Sequence, residues 1–292
     1  MPEPINPRGQ DNPSQYFVED RSNEAEMIRQ MIQDSTVTAG MGGPLSEQPD
    51  PDSLRRVLDI GCGPGGWILE AAARYPHMEL TGIDISWRMI EYASAQAQAQ
   101  KVTDRTEFLV MDALRPLDFP DDSFDLVNMR FGFSFLLVKD WPTLLRGLLR
   151  VTRPGGIVRV TDGMIGQSTS PAFNRINQMF LCALYRSGHH LSEHEGMAHE
   201  LPHLLSESGC QQVQTKDHTL ELVAGTVGGQ NFYQDMMFAI QTGKPFIQKS
   251  GCATEEYDAL YEQALIEMQQ PDFRVTWPLV TAWGRKPDTA GI

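Results

Sequence analysis

Residues 57–66, VLDIGCGPGG, constrain this chain more than any other stretch. They predict a short buried strand at 56–60, a turn holding four glycines and one proline, and a helix from about residue 65 to 74. Glycines in such a turn reach positive φ and let a ligand approach the backbone where a Cβ would block it. A helix that starts straight after the turn presents unpaired N–H groups to an anionic or polar ligand. No Gly-Lys-Ser/Thr ending is present, which removes the P-loop. Asp59, inside the strand end, repels a pyrophosphate but suits an ammonium group. The turn is built for an amino acid rather than a phosphate.

Around it, strand and helix alternate. Strands are expected at 77–83, 106–111, 124–129 and 156–161. Helices are expected from the Ser86 cap to about 100 and at 141–151. This order implies right-handed β-α-β crossovers and a mostly parallel sheet with helices on both faces. The alternation stops at 163. Helices at 172–187, 201–208, 232–241 and 255–269 follow, with strands at 213–223 and 274–284, where Pro278 suggests an edge position or a bulge. Upstream, residues 1–13 read as a flexible tail. From Tyr16 to about 36, Ala25, Met27, Ile28, Met31 and Ile32 form an apolar helical stripe. The glycine-rich 38–44 and a polar linker join this helix to the rest, so residues 14–53 are expected as a lid, or as a helix packed on the sheet. The main domain is expected over 54–292, with helical cap segments at about 163–200 and 228–270.

The formal net charge of −14 disfavours nucleic acid and anionic membranes as partners. Cys62, Cys182, Cys210 and Cys252 form no C-x-x-C pair, so a disulfide or zinc framework is not expected. Neither an apolar leader nor a membrane-length run is present. These features lead to the expectation of a cytoplasmic protein with a small-molecule partner, and they are compatible with a homodimer.

Asp59, Asp84 and Asp112 fall at the ends of successive strands, which line the ligand crevice of an open parallel sheet. A carboxylate at Asp84 can accept both hydroxyls of a ribose, and Asp112, followed by Ala113, can accept from an adenine amino group. With the segments LTGIDIS (80–86), FLVMDALRPLDFPDDSFDLVNMR (108–130) and LLRVTRPGGIVRV (148–160), the chain resembles the class I S-adenosylmethionine-dependent methyltransferases over roughly 54–162. Within these it is similar to the ubiquinone/menaquinone-biosynthesis group. The resemblance implies a Rossmann-like seven-stranded sheet with an antiparallel last strand. It also implies that S-adenosyl-L-methionine binds, leaving as S-adenosyl-L-homocysteine. Gly61, Gly63 and Gly65 would line its methionine part. Asp84 would hold the ribose, Ile85, Met89, Asp112 and Ala113 would surround the adenine, and Met129 and Arg130 would face the methionine and the acceptor. Tyr16 either closes over the cofactor or simply packs.

Methyl transfer needs a nucleophile held in line and, for a hydroxyl or acidic carbon, a base. His189, His190, His194 and His199 lie in the first cap segment, and in a helix His190 and His194 would share a face. Solvated loop histidines, a general base at His194 or His190, and a metal site are the three readings. Many apolar and aromatic residues beyond the sheet, among them Phe131, Phe133, Phe180 and Phe232, suggest a hydrophobic acceptor pocket. O-methylation is the expectation. N- or C-methylation, or cofactor binding without transfer, stays open.

Overall fold

The computed structural model describes Tyr16 and residues 24–164, 166–192 and 196–288. The expected tail at 1–13 and His194 lie outside the described residues.

The α/β alternation is as the sequence implies. β1 (Arg56–Ile60), α2 (Gly66–Arg74), β2 (Glu79–Asp84), α3 (Trp87–Ala99), β3 (Thr106–Val110), β4 (Phe124–Arg130), α4 (Trp141–Val151) and β5 (Thr152–Gly163) follow one another after an N-terminal helix, α1 (Glu24–Gly40). The sheet runs β3-β2-β1-β4-β5, all parallel. Its central strands are buried on both sides, which explains their near-continuous apolar sequences. Leu58, Val127 and Val158 align across β1, β4 and β5 and face α4 and α6 (Leu201–Glu207). Their neighbours Val57, Leu126 and Ile157 face α2 and α3 on the other side.

The antiparallel last strand is β8 (Arg274–Arg285), inserted between β5 and β7 (Gln211–Val223) and antiparallel to both. A two-residue strand, β6 (Gln167–Ser168), also pairs with β8 and brings the sheet to eight strands, one more than expected. Pro278 is therefore not at an edge. It pairs with Thr219 of β7, and its carbonyl accepts from the Met164 N–H at 2.9 Å. A strand residue aims its nitrogen and carbonyl to the same side. The missing N–H thus falls in the gap between the end of β5 pairing at Gly163 and the start of β6 at Gln167.

Helices α5 (Pro171–Arg186), α7 (Val227–Lys249) and α8 (Tyr257–Glu267) form the cap. They build a core of their own with Phe173, Ile176, Phe232, Ile240 and Phe246, joined by Val275 and Leu279 of β8. α7 exceeds its expected bounds at both ends because Thr226 caps it, its hydroxyl accepting from the Gly229 N–H at 3.1 Å, while Phe246 and Ile247 continue its buried face past Pro245. Two further expectations are corrected. Cys182 on α5 and Cys252 after α7 form a disulfide across 70 residues, with Cα atoms 6.0 Å apart, leaving Cys62 and Cys210 as buried free thiols. Cysteine spacing carried no sign of this pairing because the cap folds the two helices together. The glycine-rich 38–44, expected as a flexible joint, is packed: Met41 and Leu45 are buried and the Trp67 indole donates to the Pro44 carbonyl at 3.1 Å. Among the described residues, no helix is long and apolar enough to cross a membrane.

The ion pair between Arg159 and Glu47 lies wholly inside. Arg159 of β5, with no exposed surface, grips Glu47 through Nε (2.6 Å) and Nη2 (3.2 Å) and donates from Nη1 to the Asn128 carbonyl at 2.6 Å. Removing one member of such a pair strands a buried charge. Glu47→Ala is therefore expected to lose about 3–5 kcal/mol in urea unfolding, a large share of the ~5–15 kcal/mol of an ordinary domain.

Candidate functional site

At the C-terminal tips of β1, β2 and β4 lies a cavity of about 450 Å³, under α1. Its floor is the glycine turn. The Gly63 N–H donates to Asp84 Oδ2 at 3.0 Å and the Ser86 N–H to Oδ1 at 2.8 Å, so one carboxylate ties the turn to the start of α3. Gly61 and Gly63 line the cavity, but Gly65 does not. Gly65 holds φ +82° ahead of α2, and an added Cβ would come within 2.9 Å of the Ala93 methyl and 3.0 Å of the Phe108 ring. Its place is set by the packing of α3 and β3, not by a ligand. Met129 is likewise buried in the core below the cavity.

The other predicted residues converge. Asp59 is 4 % exposed and accepts from the Asn128 amide at 2.7 Å. Burial pushes its carboxyl up to about 7, against the downward pull of Arg130. Asp112 accepts from the Leu114 N–H at 2.9 Å and pairs with Arg115 at 3.4 Å. Ile85, 40 % exposed, turns an apolar side to the cavity beside Met89 and Ala113.

A lid was expected here, but of its polar residues the sequence pointed only to Tyr16. α1 contributes Glu26, Arg29, Gln30, Gln33 and Asp34 to the cavity wall. Arg130 donates to Asp34 at 2.5 Å and to the Thr38 hydroxyl at 3.1 Å, and burial raises the Asp34 carboxyl while Arg130 pulls it down. Tyr16 donates to Glu26 at 2.5 Å and accepts from the Gln30 amide at 3.0 Å. Arg29 is clamped by Glu26 at 2.8 Å and by Asp235 of α7 at 3.1 Å. A signal was present: Glu26, Gln30 and Asp34 recur every four residues, a polar stripe beside the apolar one.

Beyond Arg29, Gln33 and Phe133, which line both spaces, lies a second, mostly apolar cavity of about 150 Å³ between α5, α7 and β8. His190 faces it. His189 and His190 are not on a helix: residues 187–192 form turns and bends after α5. Nor are His189 and His190 solvated, at 3 % and 5 % exposure. His189 shares a hydrogen bond of 2.8 Å with the Ser187 hydroxyl, whereas both ring nitrogens of His190 are buried without a partner among the described residues. Burial, and then His189, lower the His190 imidazole to about 4, so it is neutral at physiological pH. His199 lies in a short 3-10 turn, Met197–Glu200. Among the described residues no group of three or more His, Cys, Asp or Glu side chains is placed to hold a metal.

Comparison with known proteins agrees with this geometry. A family described as "Methyltransferase domain" matches residues 57–156. Phosphoethanolamine N-methyltransferase 3 of Arabidopsis thaliana is 31% identical over 56% of this chain and 30% of its own length. The demethylmenaquinone methyltransferase of Deinococcus radiodurans is 39% identical over 36% of this chain and 41% of its own length, and that of Geobacillus kaustophilus is 29% identical over 60% and 78%. The chain thus spans less than half of the first two. A phosphoethanolamine N-methyltransferase 2 from Haemonchus contortus, solved with phosphomonomethylethanolamine and S-adenosylhomocysteine, shares the fold. The TM-score is 0.51 at 19% identity, over 93% of this chain and 59% of that one. Over residues 57–156 the chain is thus similar to methyltransferase domains.

Proposed function

We propose that the chain transfers the methyl group of S-adenosylmethionine to a small hydrophobic or aromatic acceptor, at oxygen in preference to nitrogen or carbon. The observation that carries this reading is the meeting of the glycine turn, Asp59, Asp84 and Asp112 around one cavity of about 450 Å³. The donor set fits the cofactor. Asp84, which accepts from the Gly63 and Ser86 N–H groups, also lines the cavity, where a carboxylate can accept from a ribose hydroxyl. Ile85, Met89 and Ala113 supply apolar surface for an adenine, with Asp112 near its edge. Asp59 faces the ammonium end, and Arg130, on the same wall beside it, is a cation for the carboxylate.

When bound, the cofactor supplies an electrophilic methyl on a sulfonium, so the chain's task is to seat the acceptor in line and keep water out. Positioning of this kind is worth about 7–11 kcal/mol in favourable cases. The apolar second cavity, reached past Phe133, supports a hydrophobic acceptor. The relatives are named for demethylmenaquinone and for phosphoethanolamine, and the apolar walls favour a ring over a phosphate ester. Oxygen acceptors shed a proton on methylation. His190 faces the second cavity as a neutral imidazole of low basicity, which suits it to accept a hydroxyl's hydrogen bond, and the role of base is proposed for His194 on sequence alone.

Calorimetry with S-adenosylhomocysteine is the direct test: the full chain should bind it, and Asp84→Asn should weaken binding about tenfold or more, the worth of hydrogen bonds to a charged acceptor. No heat with the parent protein sinks the reading.

A second expectation concerns protons. Unfolded, Asp59 titrates near ~3.9, and folded it is held up at about 7, so the native state carries an extra proton between those values. Its contribution to stability is complete below the unfolded value and is lost as pH rises through 7. An ammonium beside it favours the ionised form. Binding at pH 6 should therefore release a proton, read from calorimetry in buffers of different ionisation enthalpy. Asp59→Asn should abolish the release and raise the melting temperature at pH 8.

A further inference from the structure

Polar groups buried in an apolar wall find partners, because an unmet donor or acceptor forfeits its full hydration. His190 departs from this rule. Its ring is buried and touches the Phe133 ring edge-on, with centroids 5.7 Å apart. An added Cβ at Gly196 would stand 3.5 Å from its Cε1, so the backbone closes over one side. Both nitrogens nonetheless lack a partner among the described residues, while the adjacent His189 has Ser187. Around the cavity that His190 faces stand Phe173, Phe180, Phe232, Ile240 and Trp277.

We infer that this cavity seats a single aromatic ring bearing a hydroxyl, and that His190 selects it by accepting the hydroxyl's hydrogen bond. The inference rests on the methyl-transfer reading for its meaning, since the ring would be the methyl acceptor. Size limits the ligand: about 150 Å³ is the scale of a cavity that holds one benzene. Charge limits it further. A carboxylate or ammonium would enter a space walled by aromatic carbon, where an unpaired ion is strongly disfavoured. The nearest ionised groups, Arg29 with Glu26 and Asp235, already satisfy one another at the cavity mouth. A neutral imidazole offers one lone pair and one N–H, and a hydroxyl meets the lone pair with its proton. The low basicity that burial imposes on His190 suits recognition of a neutral O–H better than storage of a proton. His190 is on this account a specificity-determining residue.

The test is an NMR titration of the full chain with phenol, anisole and toluene, with and without saturating S-adenosylhomocysteine. Phenol should bind about tenfold more tightly than either of the others, as expected for a site whose buried polar group is left unmet by an analogue lacking the O–H. His190→Phe, which keeps the ring contact with Phe133, should bring phenol down to the level of toluene. His190→Gln, which retains an acceptor, should keep the preference. Equal binding of phenol and toluene by the parent protein, no binding of any of the three, or a preference that survives in His190→Phe overturns the proposal. The two readings fail separately. A phenol preference in a chain that does not bind S-adenosylhomocysteine leaves the hydroxyl site standing and removes the methyl-transfer reading, and the reverse pattern removes only the hydroxyl site.

Discussion

A chain of four buried polar side chains crosses the centre of the sheet, and the crevice depends on it. Glu47 holds Arg159 at two points, Arg159 donates to the Asn128 carbonyl, and Asn128 must therefore turn its amide toward Asp59. Each link is buried, so each orientation is forced: Asn128 cannot flip without leaving a guanidinium N–H and a carboxylate oxygen unpaired. The result is a carboxyl fixed at the tip of β1 and still poorly solvated, which keeps its proton affinity high. Stability alone does not account for it, since an apolar replacement of a buried ion pair is often as stable. Its consequence is positional: a residue in the linker before β1 sets the orientation of a carboxyl that lines the cavity.

The sheet order explains why that tip is the place for a site. β1 lies between β2 and β4, and the chain proceeds outward first to one side and then to the other. The connections after β1 and β4 consequently diverge, and a crevice opens above the strands between them. The glycine turn fills its floor on one side and the Phe131–Phe135 segment closes the other, with Phe135 packed near Gly61. β8 then ends the parallel pattern. By running antiparallel between β5 and β7 it brings Val275, Trp277 and Leu279 under the cap helices, so the second cavity has a rigid sheet for one wall.

Much of this was legible because it is local. The strand, turn and helix around 57–74 are specified by neighbouring residues, and the Ser86 cap and the 141–151 helix were placed from their own sequence. Asp84 was legible for the same reason, since it ends the strand that its own residues define. What was not legible is long-range. Glu47 and Arg159 are 112 residues apart, and Cys182 and Cys252 are 70 apart. Neither pairing leaves a mark on local periodicity. α7 was cut short because Gly243 and Pro245 are poor helix formers, whereas burial of Phe246 and Ile247 outweighs their propensity. The end of α5 was legible, but not that the turn beyond it sends His189 and His190 inward.

The same distinction bears on which part of the chain makes the crevice. Residues 54–162 carry the glycine turn and all three carboxylates, and it is this part that the family match largely covers. They do not make a closed site. Asp34 lies at the N-terminal end of α2, so close that a Cβ on Gly66 would fall 2.6 Å from its carboxylate, and it pairs with Arg130 of β4. Five residues further back, Arg29 is bonded to Asp235 on α7. One helix is thereby fastened by buried charges to the nucleotide-fold core at one point and to the cap at another. Arg29 and Gln33, on the stretch between those fastenings, line both cavities. A displacement of α1 therefore changes the two spaces together, and the partition between them belongs to the N-terminal helix rather than to the sheet.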